Sequence, residues 1–277
     1  MPEADAVART DIPLTADALA QKLRACGLEP GQTVLTHMAL SKLGWVVGGA
    51  ETVIRALLTV LGPRGTLMMP THTTNNTDPA DWCNPPVPES WHQLIRDHMP
   101  AYQPSITPTR QMGAVSELFR TWPGVKRSAH PVTSFAAIGP NADYLLHDHV
   151  LEEDTGDRSP VGRLYELDGH VLLIGVGHWN NTSLHLAEFR ADYPGKRYLP
   201  NGSSMMVDGR AKWVAYDALD LHADDFGQIG QAFDDADEVE VNLIADAEVR
   251  LFKQRAVVDF GVDWMARNRG LRAETDK

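Results

Sequence analysis

The sequence predicts an α/β chain: a mixed central sheet flanked by helices, with a loop-and-helix insertion at 73–110. Three observations carry that expectation. Helical and strand patterns alternate along most of the length. Within 15–73 the strand–loop–helix–strand spacing is short, which points to parallel strands joined by a crossover. After about residue 203 the pattern changes to short runs around a turn signal, so antiparallel strands are expected and the sheet is mixed.

TADALAQKLRACGLEPG (15–31) sets Leu19, Ala20 and Leu23 at helical spacing and stops on Gly27. QTVLTH (32–37) reads as a buried strand, and AETVIRALLTVLGPRG (50–65) as an amphipathic helix ended by Gly62-Pro63. GTLMMPTHT (65–73) is the next strand. The stretch 73–110 is dense in Asn, Pro and Thr and holds Trp82 and Trp91. Long loops in compact domains are usually functional, so it is read as a cleft wall or lid carrying a short helix at 90–99. A helix at 112–124 and a strand at 134–139 follow. In SPVGRLYELDG (159–169), Ser159 is the N-cap and Pro160 the first helical position. HVLLIGVGH (170–178) is a buried strand, and NNTSLHLAEFRA (180–191) settles into a helix. A hairpin turning at Asp208-Gly209, a helix over 223–236, strands at 238–244 and 247–252 and a last helix near 254–268 complete the chain.

With 277 residues, 43% of them hydrophobic, the chain suits a single domain over 1–277 with its core about 15–270. No apolar window approaches 18 residues and the acidic N-terminus lacks an apolar run, so neither a membrane span nor a secretory signal is expected. Cys26 and Cys83, without a CxxC motif, suit a reduced, cytoplasmic setting. The balance of 25 basic to 37 acidic residues, a net charge of −12, argues against nucleic acid or an anionic membrane as partner. It suits a cationic small molecule, and equally plain solubility.

HMALSKLGWVVGGAE (37–51) joins strand to helix through Gly44, Gly48 and Gly49. Glycines there let backbone approach a ligand, and the helix N-terminus offers free N–H groups to a phosphate. The spacing matches neither dinucleotide nor mononucleotide fingerprint, and a merely tight turn explains it as well. His185 and Glu188, at i and i+3, share one helix face just beyond the C-terminal end of a buried strand, where ligands of α/β sheets collect. A carboxylate on one ring nitrogen would fix the tautomer and leave the other as a general base. A surface ion pair is the alternative. No HExxH is present and His178 lies seven residues earlier, so no metal is expected. No GxSxG elbow supports a serine hydrolase.

Read together, LGWVVGGAETVIRALLTVLGPRGTLMMPTHT (43–73), NPPVPESW (84–91), TPTRQMGAVSELFRTWPG (107–124), RSAHPVTSFAAIGP (127–140), SPVGRLYELDGHVLLIGVG (159–177) and NTSLHLAEFRA (181–191) resemble the aminoglycoside 3-N-acetyltransferase family. The resemblance is collinear over roughly 15–235 and implies the non-GNAT antibiotic acetyltransferase fold. It implies acetyl-CoA as donor and the 3-amino group of a 2-deoxystreptamine aminoglycoside as acceptor, with transfer in a ternary complex. It maps the catalytic pair to His185 and Glu188 and a carbonyl-side hydroxyl to Thr182. It puts the cofactor along Ser41, Lys42, Leu43, Gly44, Trp45, Val46, Val47, Gly48 and Gly49, with Arg110, Met112, Ser128, His130 and Ser159 on further cofactor-side segments. The acceptor wall would take Thr71, His72, Asp78, Asp81 and Trp82, with Glu188 reaching the acceptor. Gln111 departs from relatives that often carry Gly there. Another amine acceptor, or non-catalytic binding of a cation, stays open from the residues alone, as does monomer against homodimer.

Overall fold

The computed structural model describes residues 3–272. In chain order its elements are α1 (Glu3–Ala8), α2 (Ala16–Ala25), β1 (Thr33–Met38), α3 (Ala50–Leu61), β2 (Thr66–Pro70), α4 (Glu89–His98), α5 (Gly113–Phe119), β3 (Lys126–Arg127), β4 (Phe135–Ile138), α6 (Ala142–Leu146), α7 (Pro160–Glu166), β5 (His170–Ile174), α8 (Ser183–Arg190), β6 (Tyr198–Val207), β7 (Arg210–Leu219), α9 (Phe226–Ala236), β8 (Asn242–Ile244), β9 (Ala247–Lys253) and α10 (Gln254–Arg272). Seven strands form one sheet in the order β3-β4-β2-β1-β5-β9-β8. β1 runs parallel to β2 and β5, and the remaining pairs are antiparallel, so the sheet is mixed.

Strand residues alternate between two apolar layers, as a period of two requires. Val34, Leu67, Met69, Leu172 and Ile174 pack with α2, α3 and α5 on one face. Leu35, Met68, Val171 and Leu173 pack with α6 to α10 on the other. Both faces are covered, so the central strands read as unbroken apolar runs rather than alternating ones. Thr15 caps α2, its hydroxyl accepting from Ala18 N at 3.3 Å, and Ser159 caps α7 from Val161 N and Gly162 N.

The expected hairpin turns at Asp208-Gly209, but it forms a separate two-stranded sheet, longer than the sequence suggested. The edge beside β5 is already taken by β9. The hairpin docks instead on the insertion. Asn76 exchanges side-chain hydrogen bonds with the Ser204 backbone, Tyr102 N donates to Ser204 O, and Ser204 Oγ donates to Met99 O. The insertion is also anchored by Arg127, whose guanidinium donates to the carbonyls of Thr71 and Thr107 and to the hydroxyls of Thr71 and Ser134. The strand expected from 238 shrinks to Asn242–Ile244. Among the described residues no helix is long and apolar enough to cross a membrane.

The parallel strands β1, β2 and β5 end side by side, with His37 opposite Leu173 and Met38 opposite Ile174. That edge carries the site.

Candidate active site

Beyond Ile174 the chain turns at Gly175, where φ is +65° and a Cβ would stand 2.6 Å from Lys42 Cβ, so a side chain fits neither the backbone nor the space. A single 3₁₀ turn, His178–Asn180, leads to Asn181, whose side-chain oxygen accepts from Ser183 N at 3.1 Å. α8 then places His185 and Glu188 on one face, with His185 Nδ1 2.5 Å from Glu188 Oε2. Glu188 is completely buried, whereas 21% of the His185 side chain is exposed. The other Glu188 oxygen accepts from Arg269 Nη1 at 2.6 Å and from His222 N at 2.9 Å. Arg269 in turn forks onto Asp225 at 2.9 and 2.8 Å. Since Nδ1 is committed to Glu188, Nε2 is the ring nitrogen left for chemistry.

His185 lines a cavity of about 210 Å³ together with His37, His72, Thr182, Gln111 and Met112. Thr182 Oγ1 lies 3.2 Å from His37 Nε2. Burial, then the charge of His185, pushes His37 down to about 3, and burial does the same to His72, so both imidazoles are neutral. His72 Nε2 is buried without a hydrogen-bond partner.

Two larger hollows adjoin this cavity. Gln111 is shared with one of about 470 Å³ that also holds Asp81, Trp82, Cys83 and Arg110. Val176, Trp179 and Asn180 are shared with one of about 490 Å³ that holds Lys42, His178 and Arg250. Gln111 has φ +60°, a left-handed conformation that favours glycine, so the expected Gly-to-Gln departure falls at a position of backbone strain. The Gly-rich loop forms a further hollow of about 490 Å³, lined by Ser41, Gly44, Trp45, Val46, Gly48 and Gly49. No side chain caps the α3 N-terminus at its edge.

Several expected contacts are corrected. The Leu43 side chain is in the apolar core, while Val47 is exposed. Ser128, 2% exposed, accepts from Phe135 N and meets His149 Nδ1. His130, 1% exposed, accepts from Val132 N and Thr133 N on Nδ1 and faces Leu151 O with Nε2. Ser159 is spent on capping α7 and donates to Gly156 O. Thr71 is buried against Ser134 and Arg127. The polar atoms of Ser128, His130, Ser159 and Thr71 are thus engaged within the fold. Asp78 caps the turn at Pro79–Asp81 and is paired with Arg96 at 2.6 Å, so its charge is already met. Glu188, fully buried and bonded through both oxygens to His185, His222 N and Arg269, is turned away from the acceptor side. Arg110 lines the Asp81 hollow rather than the Gly-rich one. Arg269, Asp225 and His37 lie outside every expected set; their partners are distant in sequence and no local pattern pairs them. Among the described residues no group of His, Cys, Asp and Glu could hold a metal ion.

A family model described as aminoglycoside 3-N-acetyltransferase matches residues 35–266. The SPbeta prophage-derived aminoglycoside N(3')-acetyltransferase-like protein YokD of Bacillus subtilis is 41% identical, over 95% of this chain and 96% of its own. The crystal structure of YokD superposes with a TM-score of 0.93 at 40% identity, covering 96% of this chain and 98% of that one. Aminoglycoside N(3)-acetyltransferase VII of Streptomyces paromomycinus is 37% identical over 98% of both chains. A structure titled AAC-IIIb binary with CoASH superposes with a TM-score of 0.84 at 30% identity, covering 94% of this chain and 98% of that one.

Proposed function

The chain belongs to the aminoglycoside 3-N-acetyltransferase family, and on that premise we propose that it transfers the acetyl group of acetyl-CoA to the 3-amino group of a 2-deoxystreptamine aminoglycoside. The observation that carries the mechanism is the His185–Glu188 pair, 2.5 Å apart, with the imidazole at a cavity wall and the carboxylate sealed behind it.

An ammonium has no lone pair for a thioester. His185 Nε2 takes a proton from the acceptor, directly or through one water, as nitrogen closes on the carbonyl carbon. Glu188 stabilises the imidazolium that results. Thr182 donates to the oxyanion that develops. With its own proton on Nε2, the neutral His37 donates to Thr182 Oγ1 and leaves the hydroxyl hydrogen free for that oxyanion. Collapse forms the amide and breaks the C–S bond, and the departing thiolate takes back the proton held by His185. The second proton of the acceptor ammonium leaves to water.

Ser41, Gly44, Trp45, Gly48 and Gly49 fit the donor: their hollow is open and adjoins the uncapped start of α3, whose N–H groups suit a phosphate. Met112, at the wall of the His185 cavity, is taken as the donor-side residue nearest the chemistry. Asp81 and Trp82 form the acceptor wall, with Asp81 as an ammonium partner. The net charge of −12 favours approach of a polycation. A covalent acyl-enzyme is not needed: burial raises the Cys26 thiol, and Cys83 belongs to the acceptor hollow rather than the His185 cavity.

The test is release of free thiol from acetyl-CoA over a panel of aminoglycosides and simple amines, with the product located by mass spectrometry. Release with 2-deoxystreptamine drugs and acetylation at the 3-amino group support the reading. Tight drug binding without thiol release makes the chain a sequestering protein instead.

A further inference from the structure

Glu188 is a completely buried carboxylate, and a buried charge without partners is costly. Arg269 supplies the partner from the last turns of α10, beyond residue 266 where the family match ends. Its guanidinium is held on every side. It forks onto Asp225, donates through Nη2 to His222 O at 3.0 Å, and lies 4.9 Å from the centre of the Tyr193 ring. Only 8% of the side chain of either Arg269 or Asp225 is exposed. Burial works against the Arg269 cation, but the hydrogen bond to Asp225 and the charge of Glu188 outweigh it and raise its pKa.

We propose that Arg269, backed by Asp225, is a positioning residue for acetyl transfer: it fixes Glu188 with one oxygen turned to His185 and offsets the negative charge behind the imidazole. The inference rests on His185 being the base. With His185 neutral, Glu188, Arg269 and Asp225 together carry one negative charge, which a proton on His185 cancels. Removing the Arg269 charge leaves two carboxylates behind the ring and favours the imidazolium. Removing the Asp225 charge does the reverse. A lysine cannot replace the fork, because its single ammonium lacks the planar, bidentate geometry.

The other groups facing this pair come from each neighbouring element. They are His37 at the end of β1, His72 after β2, Asp154 before α7, Tyr193 and Lys196 after α8, and His222 before α9. All stay the same across the variants below, so a difference between variants reports on Arg269 and Asp225.

The experiment compares native enzyme, Arg269→Gln and Asp225→Asn by kcat against pH, KM for both substrates, acetyl-CoA binding by calorimetry and thermal melting. Arg269→Gln is expected to lose on the order of 10²-fold in kcat, the scale of a misplaced catalytic group, with acetyl-CoA affinity unchanged. The acid limb of its kcat profile moves to higher pH, and that of Asp225→Asn to lower pH. A purely structural pair would move neither limb. Limbs of folded Arg269→Gln and Asp225→Asn that superimpose on the native one overturn the proposal. If Arg269→Gln does not fold, Arg269→Lys is read instead: kcat falls while the limb stays in place, and full activity in that variant overturns the fork. A native acid limb that persists unaltered in His185→Ala would show that His185 is not the base, and would dismiss this inference together with its premise.

Discussion

His37 and Thr182, 145 positions apart in the chain, meet at 3.2 Å where β1 ends and α8 begins. Burial keeps His37 neutral, so the contact is a dipolar hydrogen bond that orients the Thr182 hydroxyl rather than an ion pair. Thr182→Val removes the hydroxyl at nearly constant shape. Its kcat is expected to fall about 10²-fold, toward the low end for a lost oxyanion donor, with KM for acetyl-CoA little changed, while Thr182→Ser keeps most activity. Steady-state kinetics of both variants check this. Equal losses in the two would make the methyl group, not the hydroxyl, the important part.

Asp78 and Asp81 are three residues apart but have different environments. Asp78 is held by Arg96, whereas Asp81 lines the hollow with Trp82. Asp81→Asn is expected to raise KM for an aminoglycoside severalfold, about 1 kcal/mol for a partly exposed charge pair, leaving KM for acetyl-CoA alone. Asp78→Asn should instead lower the melting temperature with little effect on acceptor KM. A reversal of these two results would exchange the roles of the carboxylates.

The fold was legible where residues of one element decide its fate. HVLLI announces a strand buried on both faces, and Ser159-Pro160 announces a helix start. The contact between His185 and Glu188 was legible for the same reason, since i and i+3 share one face of a helix. What could not be read is the use of a side chain whose partner is remote. Arg269 reaches Glu188 across 81 positions, and no periodicity encodes that. Ser128 and His130 lie in RSAHP, a segment that resembles its counterpart in the family, yet their polar atoms turn inward to Phe135, Val132 and Thr133. Resemblance marks a segment; it does not say which of its atoms face a ligand. The hairpin was legible at its Asp208-Gly209 turn, but its separation from the main sheet was not, because strand patterning does not name the partner strand.

Acid should destabilise this chain from near neutrality. Burial depresses His37 and His72 to about 3 and His130 to about 4, and holds His149 well below its ordinary value of 6.5. A folded pKa below the unfolded one means that the unfolded state binds the proton first. Stability is therefore present above 6.5 and falls as pH drops toward 4, by about 1.4 kcal/mol per pH unit for each such histidine. Asp154, raised to about 6 by burial, acts the other way: its contribution is lost as pH rises through 6. Four histidines outweigh one carboxyl, so the urea midpoint should drop clearly between pH 7 and pH 5. A midpoint constant over that range would mean that these rings titrate freely in the fold.

The last prediction concerns the pair proposed to carry the reaction. Among the rings lining the cavity, His185 is joined to a buried carboxylate, whereas His130 lies outside it with both nitrogens turned to backbone. His185→Ala should retain the fold and acetyl-CoA binding, because the side chain is at a cavity wall rather than in an apolar layer. Its kcat should fall about 10²–10⁴-fold, the range for a lost general base. Glu188→Gln keeps the shape but removes the charge that stabilises the imidazolium, and leaves Arg269 facing a neutral amide. It should lose about 10²-fold in kcat, within the same range, and some thermal stability, since Arg269 is then left with Asp225 alone. The native kcat should rise with pH along an acid limb that His185→Ala lacks, because only the neutral ring accepts the acceptor's proton. The measurements are kcat against pH for the three proteins, calorimetry with acetyl-CoA and thermal melting. A His185→Ala enzyme with near-native kcat and the same acid limb would remove His185 from the chemistry.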